Sequence, residues 1–196
     1  MTYVLIGANL AMFALELAEG AGLGGPTVEQ AIDLGANVAA LTWEGQPWRL
    51  LTAMFLHQGV VHLGMNMLCL YQIQVVERMV GRLAFVALYF ASGLLGGVAS
   101  AITHPHSVCL GASGAVFGMF GAFAATMVVL RDRVEPQAWR RTMRSLGTFF
   151  GLNLLIGLTQ PGIDLSAHIA GLVVGFAGAF ALAKIRRRRA GHVPER

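Results

Sequence analysis

Four polar side chains of this sequence have the types and spacing to do chemistry together: Ser113, His168, His62 and Asn66. Ser113 lies in the run Gly111-Ala112-Ser113-Gly114, and His168 lies in Ala167-His168-Ile169-Ala170-Gly171. A serine hydroxyl is a weak nucleophile until a base takes its proton. Histidine suits that task because its pKa lies near neutrality. Acyl transfer then needs hydrogen-bond donors aimed at the oxyanion of its intermediate. Backbone N–H groups at a helix N-terminus are unpaired and can serve. The side chains of His62 and Asn66 can add further donors, and their i,i+4 spacing puts them on one helix face. These residues are far apart in the chain, so the chemistry depends on elements that bring them together.

Composition identifies those elements. Of 196 residues, 56% are hydrophobic and 12% charged. A soluble domain carries about twice that charged share. Mean hydropathy is +0.64, which leaves a water-soluble fold nowhere to put its apolar surface. Disordered, collagen-like and disulfide-scaffold chains are excluded on the same ground. Stretches 1–15, 50–76, 83–130, 145–163 and 165–183 carry no Asp, Glu, Lys or Arg. A spanning helix needs roughly 20 residues, so 83–130 fits two, broken at His104-Pro105-His106-Ser107. The expected spans are 2–19, 61–80, 83–103, 113–130, 142–160 and 163–185. They make one all-α domain over 1–185, a six-transmembrane-helix bundle, followed by a basic tail at 186–196. The one long connection, Gly20 to Val60, is the first outer loop. The first segment lacks a basic n-region and runs long for a signal peptide, so it reads as a span.

The formal charge of +4 and the pI of 9.7 invite a nucleic-acid partner, but the placement of the charges argues against one. Of the fourteen basic residues, only Arg49 falls on the opposite side from the rest. Cytoplasmic loops carry the excess of Lys and Arg, which puts both termini in the cytoplasm. The acids Glu16, Glu19, Glu29, Asp33, Glu44 and Asp164 then fall mainly outside. The basic tail is an orientation signal and an anionic-lipid contact.

This topology puts His62, Asn66, Ser113 and His168 at similar shallow depth under the outer surface. Polar groups inside a membrane are costly and mark functional sites. Gly114, Gly118 and Gly121 continue one stripe below Ser113. Gly171, Gly175 and Gly178 do the same below His168. Small residues let membrane helices approach closely, so packing the two stripes brings Ser113 to His168.

In these residues the chain resembles the rhomboid intramembrane serine proteases. The matching pieces are Trp48-Arg49, His57, His62 through Asn66, Gly111-Ala112-Ser113-Gly114, and Ala167 through Gly175. The likeness covers essentially the whole chain, including the order of spans and the long first loop. It implies a Ser–His dyad without an acidic third member, with Ser113 as nucleophile and His168 as general base. It implies an oxyanion hole from His62, Asn66 and the backbone N–H groups of Ser113 and Ala112. It implies transmembrane protein substrates cut at or near the outer boundary, with span five and the loop before span six as a mobile gate. It implies no cofactor. Gly111, Gly114, Phe117, His57, Gly171 and Gly175 would support the site, and Trp48-Arg49 would be structural. One departure stands out: Phe117 occupies a position where many members carry Tyr stacked on the catalytic histidine. The compact form without appended domains suggests a bacterial plasma membrane.

Blander readings apply elsewhere. His57 is expected to bond loop backbone beside the site or to hold a water. His104 and His106 read as solvated turn residues. A metal site of His57, His62, His104 and His168 lacks any recognised ligand spacing. Asp164, four residues before His168, is expected to cap its helix rather than complete a triad. Glu77 reads as an inner-boundary ion pair or helix–helix hydrogen bond. Cys69 and Cys109 lie at different depths, against a disulfide. Residues 27–41 form a candidate helix in the outer leaflet, with Val28, Ile32 and Ala39 inward. Ala115 departs from G-x-S-x-G, and the absence of predicted strands excludes an α/β-hydrolase elbow. The rival functions are a non-catalytic rhomboid-like protein that binds membrane clients, and a small transporter. The transporter would need a polar stripe across the bilayer.

Overall fold

The computed structural model describes residues 1–159 and 162–190. The expectations for Gln160, Pro161 and the tail from 191 onward lie outside the described residues. The helices run in order as α1 (Thr2–Ala18), α2 (Val28–Asp33), α3 (Ala39–Trp43), α4 (Arg49–Thr52) and α5 (Gly59–Gln72), then α6 (Val75–Val80), α7 (Arg82–Thr103), α8 (Ser113–Val129), α9 (Pro136–Thr159) and α10 (Leu165–Ala190). A two-residue antiparallel ladder joins β1 (Asn37–Val38) to β2 (Val108–Cys109). Among the described residues, the α5–α6 run Gly59–Val80, α7 and Leu165–Arg188 of α10 are long and apolar enough to cross a membrane. Helices α1 and α8 are apolar but shorter.

Several boundaries differ from the expected spans. The segment 61–80 is divided into α5 and α6 at Ile73 and Gln74. The helix α9 begins at Pro136, ahead of 142, because proline at a helix start loses no backbone bond. The helix α10 continues past 185 into the arginine run. Residues 27–41 do not form one helix. Gly35, at φ +99°, ends α2, and Asn37–Val38 then pair as a strand. Val28, expected inward, is 59% exposed, whereas Ala39 is buried.

The core centres on α8, whose Gly, Ala, Val, Phe and Met residues are apolar on every side. A helix of that kind is stable only when surrounded. Its neighbours are α7 and α10, with Phe85 and Tyr89 of α7 fully buried beside Met119 of α8. The outer surface is apolar too: Val61 is 74% exposed and Leu83 88%. Such a surface suits lipid, where helix association rests on close packing rather than on water exclusion.

The glycine stripes make that packing possible. A Cβ on Gly171 would overlap the carbonyl oxygen of Gly114, and one on Gly175 would overlap that of Gly118. Gly121 meets the backbone of Leu172 and Phe176 in the same way. Gly178 departs from the expected pattern and faces Leu88 of α7. A third helix enters the packing there, so the stripe on α10 serves two partners.

The opposite end of the bundle is tied by charged groups. Glu77 accepts from the N–H and hydroxyl of Thr2 at 2.8 and 2.9 Å. Arg186 donates to the carbonyl of Val80 at 2.7 Å, and Arg187 to that of Val129 at 2.9 Å. The last carbonyls of a helix have no partner within it, so these arginines cap α6 and α8 from α10.

Candidate active site

Ser113 is the first residue of α8, and His168 lies in the first turn of α10. The interlocked glycines below them set the helix separation. At that separation the Ser113 Oγ and His168 Nε2 atoms are 2.8 Å apart. The His168 ring is also fixed from the side. Phe117, one turn below Ser113, stacks on it with centroids 4.2 Å apart and planes within 7°. Phe149 and Phe150 of α9 pack in turn against Phe117. His168 Nδ1 has no partner among the described residues. Asp164 does not reach it, because its Oδ1 accepts from Ser166 Oγ at 2.6 Å and the Ala167 N–H at 3.0 Å. Asp164 therefore caps α10, and the Ser113–His168 pair has no carboxylate bonded to it among the described residues.

His62 and Asn66 enter from α5. Gly111 is the residue between His62 and Ser113. At φ +127° it occupies a conformation that other residues avoid, and a Cβ there would lie 2.8 Å from His62 Cε1. The same position lies 3.8 Å from Ser113 Oγ, so the imidazole and the hydroxyl face one small space. The Gly111 N–H donates to the Ala53 carbonyl at 2.8 Å, which pins this loop to the end of α4. His62 Nδ1 accepts the Gln58 N–H at 3.3 Å. The ring proton of neutral His62 is then on Nε2, the nitrogen on the Gly111 side. Asn66 is buried, and its amide donates to the His62 carbonyl at 3.0 Å. Ala112 is fully buried as the N-cap of α8, and Gly114 sits 3.4 Å from the Ala167 carbonyl by its Cβ position.

A hydroxyl bonded to one imidazole and faced by a second, from His62, is an arrangement suited to acyl transfer. A model of the Rhomboid domain matches residues 44–185. The chain belongs to the rhomboid family. It is therefore an integral membrane protein of largely helical structure. It is 37% identical over 186 residues to the rhomboid protease GluP of Bacillus subtilis (strain 168), covering 92% of this chain and 34% of that protein. It is 33% identical over 147 residues to the putative rhomboid protease YdcA of the same organism, covering 74% of this chain and 72% of that one. RHOMBOID-like protein 5 of Arabidopsis thaliana is 35% identical over 161 residues, covering 81% of this chain and 51% of that protein. The chain thus spans about a third of the length of GluP and about half that of the plant relative.

The remaining residues of this rhomboid sort themselves by contact. Arg49 is buried and structural. Its guanidinium donates to the Ile32 and Ala36 carbonyls at 2.6 and 3.1 Å and to Gln46 Oε1 at 2.7 Å. It also stands 4.8 Å from the Trp48 ring centroid. His57 is fully buried, its Nδ1–H donating to the Phe55 carbonyl at 3.1 Å. Burial, with the neighbouring His62, pushes its pKa down to about 4. His104 bonds Thr103 Oγ1 at 2.9 Å in an exposed turn. Cys69 and Cys109 are both free thiols. Burial pushes Cys109 up to about 12, which keeps it neutral. Glu16, read from the sequence only as an acid toward the outer side, is fully buried, and its Oε1 accepts the His57 N–H at 3.0 Å. Sequence reasoning missed that contact. The signal available was an acid interrupting the otherwise apolar α1.

Proposed function

We propose that this chain is an intramembrane serine endopeptidase that hydrolyses peptide bonds of membrane-anchored proteins at or near the outer membrane boundary. The observation that carries the reading is the 2.8 Å pairing of Ser113 Oγ with His168 Nε2, with the His62 ring facing the hydroxyl across Gly111. Ser113 Oγ attacks the scissile carbonyl as His168 Nε2 takes its proton. The oxyanion is bound by His62 Nε2–H, the Asn66 amide and the backbone N–H groups of Ser113 and Ala112. His168 then returns the proton to the leaving amine, and the peptide bond breaks to give an acyl-enzyme. A water, deprotonated by His168, hydrolyses that ester and frees Ser113. No third acidic group takes part. Phe117 holds the imidazole in plane during both proton transfers.

The six apolar segments named above cross the bilayer, with both termini on the basic, cytoplasmic side of a bacterial inner membrane. Helix α9 forms the lateral gate for the substrate. Of its described side chains only Leu146 is buried, which supports a loosely held element beside the dyad. Substrates are transmembrane proteins, and the chemistry calls for no cofactor. A fluorophosphonate probe tests the assignment. We expect a single adduct on Ser113, absent in His168→Ala. An adduct on another serine, or labelling undiminished in His168→Ala, contradicts it.

A further inference from the structure

Glu16 has no task in the reaction as written, yet it is an acidic side chain with no exposed surface in an apolar helix. A charged-type side chain facing a membrane bundle interior is costly and is retained for a use. Its neighbours define one. Oε1 accepts the His57 N–H at 3.0 Å, while Oε2 has no partner among the described residues. His57 opens the turn that leads into α5. Gly59, at φ +87°, donates its N–H to the His57 carbonyl at 2.9 Å. Val60 N–H donates to the Leu23 carbonyl at 2.9 Å, from the loop that follows α1.

Two contacts orient the His62 ring, and both come from this turn. The His57 imidazole stands edge-on to it, with centroids 5.2 Å apart and planes at 61°. The Gln58 N–H donates to its Nδ1 at 3.3 Å and so keeps the ring proton on Nε2. The His57 imidazole is locked by its bond to Phe55, so the turn and its ring move as one piece. Glu16 is the side chain that holds this piece from α1.

We propose that Glu16 is a positioning residue: its carboxyl oxygen fixes the His57–Gln58 turn, and through that turn the orientation and tautomer of the oxyanion donor His62. The proposal rests on the oxyanion role assigned to His62 above. It requires an acceptor oxygen at position 16, held at this reach.

The test is a double-mutant cycle on the full chain in proteoliposomes. Glu16→Leu and Glu16→Gln are each made in wild-type and His62→Ala backgrounds, with kcat and KM read on a membrane-tethered reporter. Glu16→Leu should lose about tenfold in kcat with KM within about twofold, because a transition-state donor is misaimed. Glu16→Gln keeps an acceptor oxygen and should stay within about threefold of wild type. In His62→Ala, Glu16→Leu should cost nothing further, since the two act through one donor. Should Glu16→Leu not fold, Glu16→Asp, one methylene short of the His57 N–H, takes its place with the same expected pattern. The proposal is overturned by unchanged kcat in the shortened or apolar variant. It is equally overturned by Gln falling as far as Leu, or by equal losses in both backgrounds. A wild type that cleaves normally while Glu16 variants are silent defeats this role alone. A wild type that neither cleaves nor labels defeats the protease reading together with it.

Discussion

Replacing Gly171 by alanine should separate Ser113 from His168 without touching either. The added Cβ would lie 2.8 Å from the carbonyl carbon of Gly114 and overlap its oxygen, where ordinary contact begins at 3.4 Å. Both partners are helix backbone, so no rotamer change relieves the overlap. Helix α10 must move off α8 by about 1 Å, a misplacement that costs on the order of 100-fold when it falls at reacting groups. Gly114 adjoins Ser113, and Gly171 is one turn from His168, so the displacement falls directly on the dyad. The 2.8 Å pair would open to about 3.8 Å, outside hydrogen-bond range. Overpacking of this kind also lowers stability by about 1–3 kcal/mol. Reporter cleavage in proteoliposomes should therefore show kcat down about 100-fold with KM little changed. Two comparisons separate this effect from a general glycine effect. At Gly178 the added Cβ would meet only the end of the Leu88 side chain, at 2.6 Å, which can turn away. At Gly147 it would meet nothing within 4 Å. Gly178→Ala should lose less than Gly171→Ala, and Gly147→Ala should match or slightly exceed wild-type stability. A Gly171→Ala enzyme with kcat within about twofold of wild type would refute the claim that these stripes set the dyad distance.

Two further outcomes follow from contacts at the same end of the bundle. Phe117→Leu removes the stacked face from His168 and should lower kcat by about 2- to 10-fold, the worth of an aromatic pair; Phe117→Tyr should retain activity, and equal rates for Leu and Phe would contradict the stacking role. His57 is neutral in the folded protein because burial holds its pKa at about 4, whereas the unfolded chain takes up the proton near 6.5. At this site the unfolded state therefore binds more protons between those values, and the contribution of His57 to stability falls as pH drops from about 6.5 to about 4. That loss totals about 3 kcal/mol, is complete below the lower value, and is read as the pH-dependent difference in thermal stability between wild type and His57→Asn in detergent. The advantage of wild type over His57→Asn should shrink as pH falls through this range, and a difference that does not change with pH would contradict the assignment.

The site was more legible in the sequence than the framework that aims it. Ser113, His168, His62 and Asn66 stand out because polar side chains are scarce in apolar helices, and the structure brings Ser113 to His168 and the His62 ring to the same space. The pairing of Gly171 with Gly114 was readable because small residues repeat at helical spacing. The turn of Gly178 toward Leu88 was not, since a stripe does not say which of two neighbours it meets. The break at Ile73 and Gln74 carries neither proline nor glycine to announce it. The β1–β2 ladder is too short to show alternation. Glu16, Arg186 and Arg187 were legible only as charges that set orientation. Their partners are backbone groups of distant elements, the His57 N–H and the Val80 and Val129 carbonyls, and a backbone group leaves no mark in a sequence.

The most direct test of the Ser113–His168 account is cleavage of a membrane-tethered reporter by purified wild type, Ser113→Ala and His168→Ala in proteoliposomes. The account predicts one cut near the outer boundary of the reporter by the wild type, and none by either variant at equal folded protein. Continued cleavage by Ser113→Ala or by His168→Ala, or a wild type that binds the reporter and leaves it intact, would contradict it.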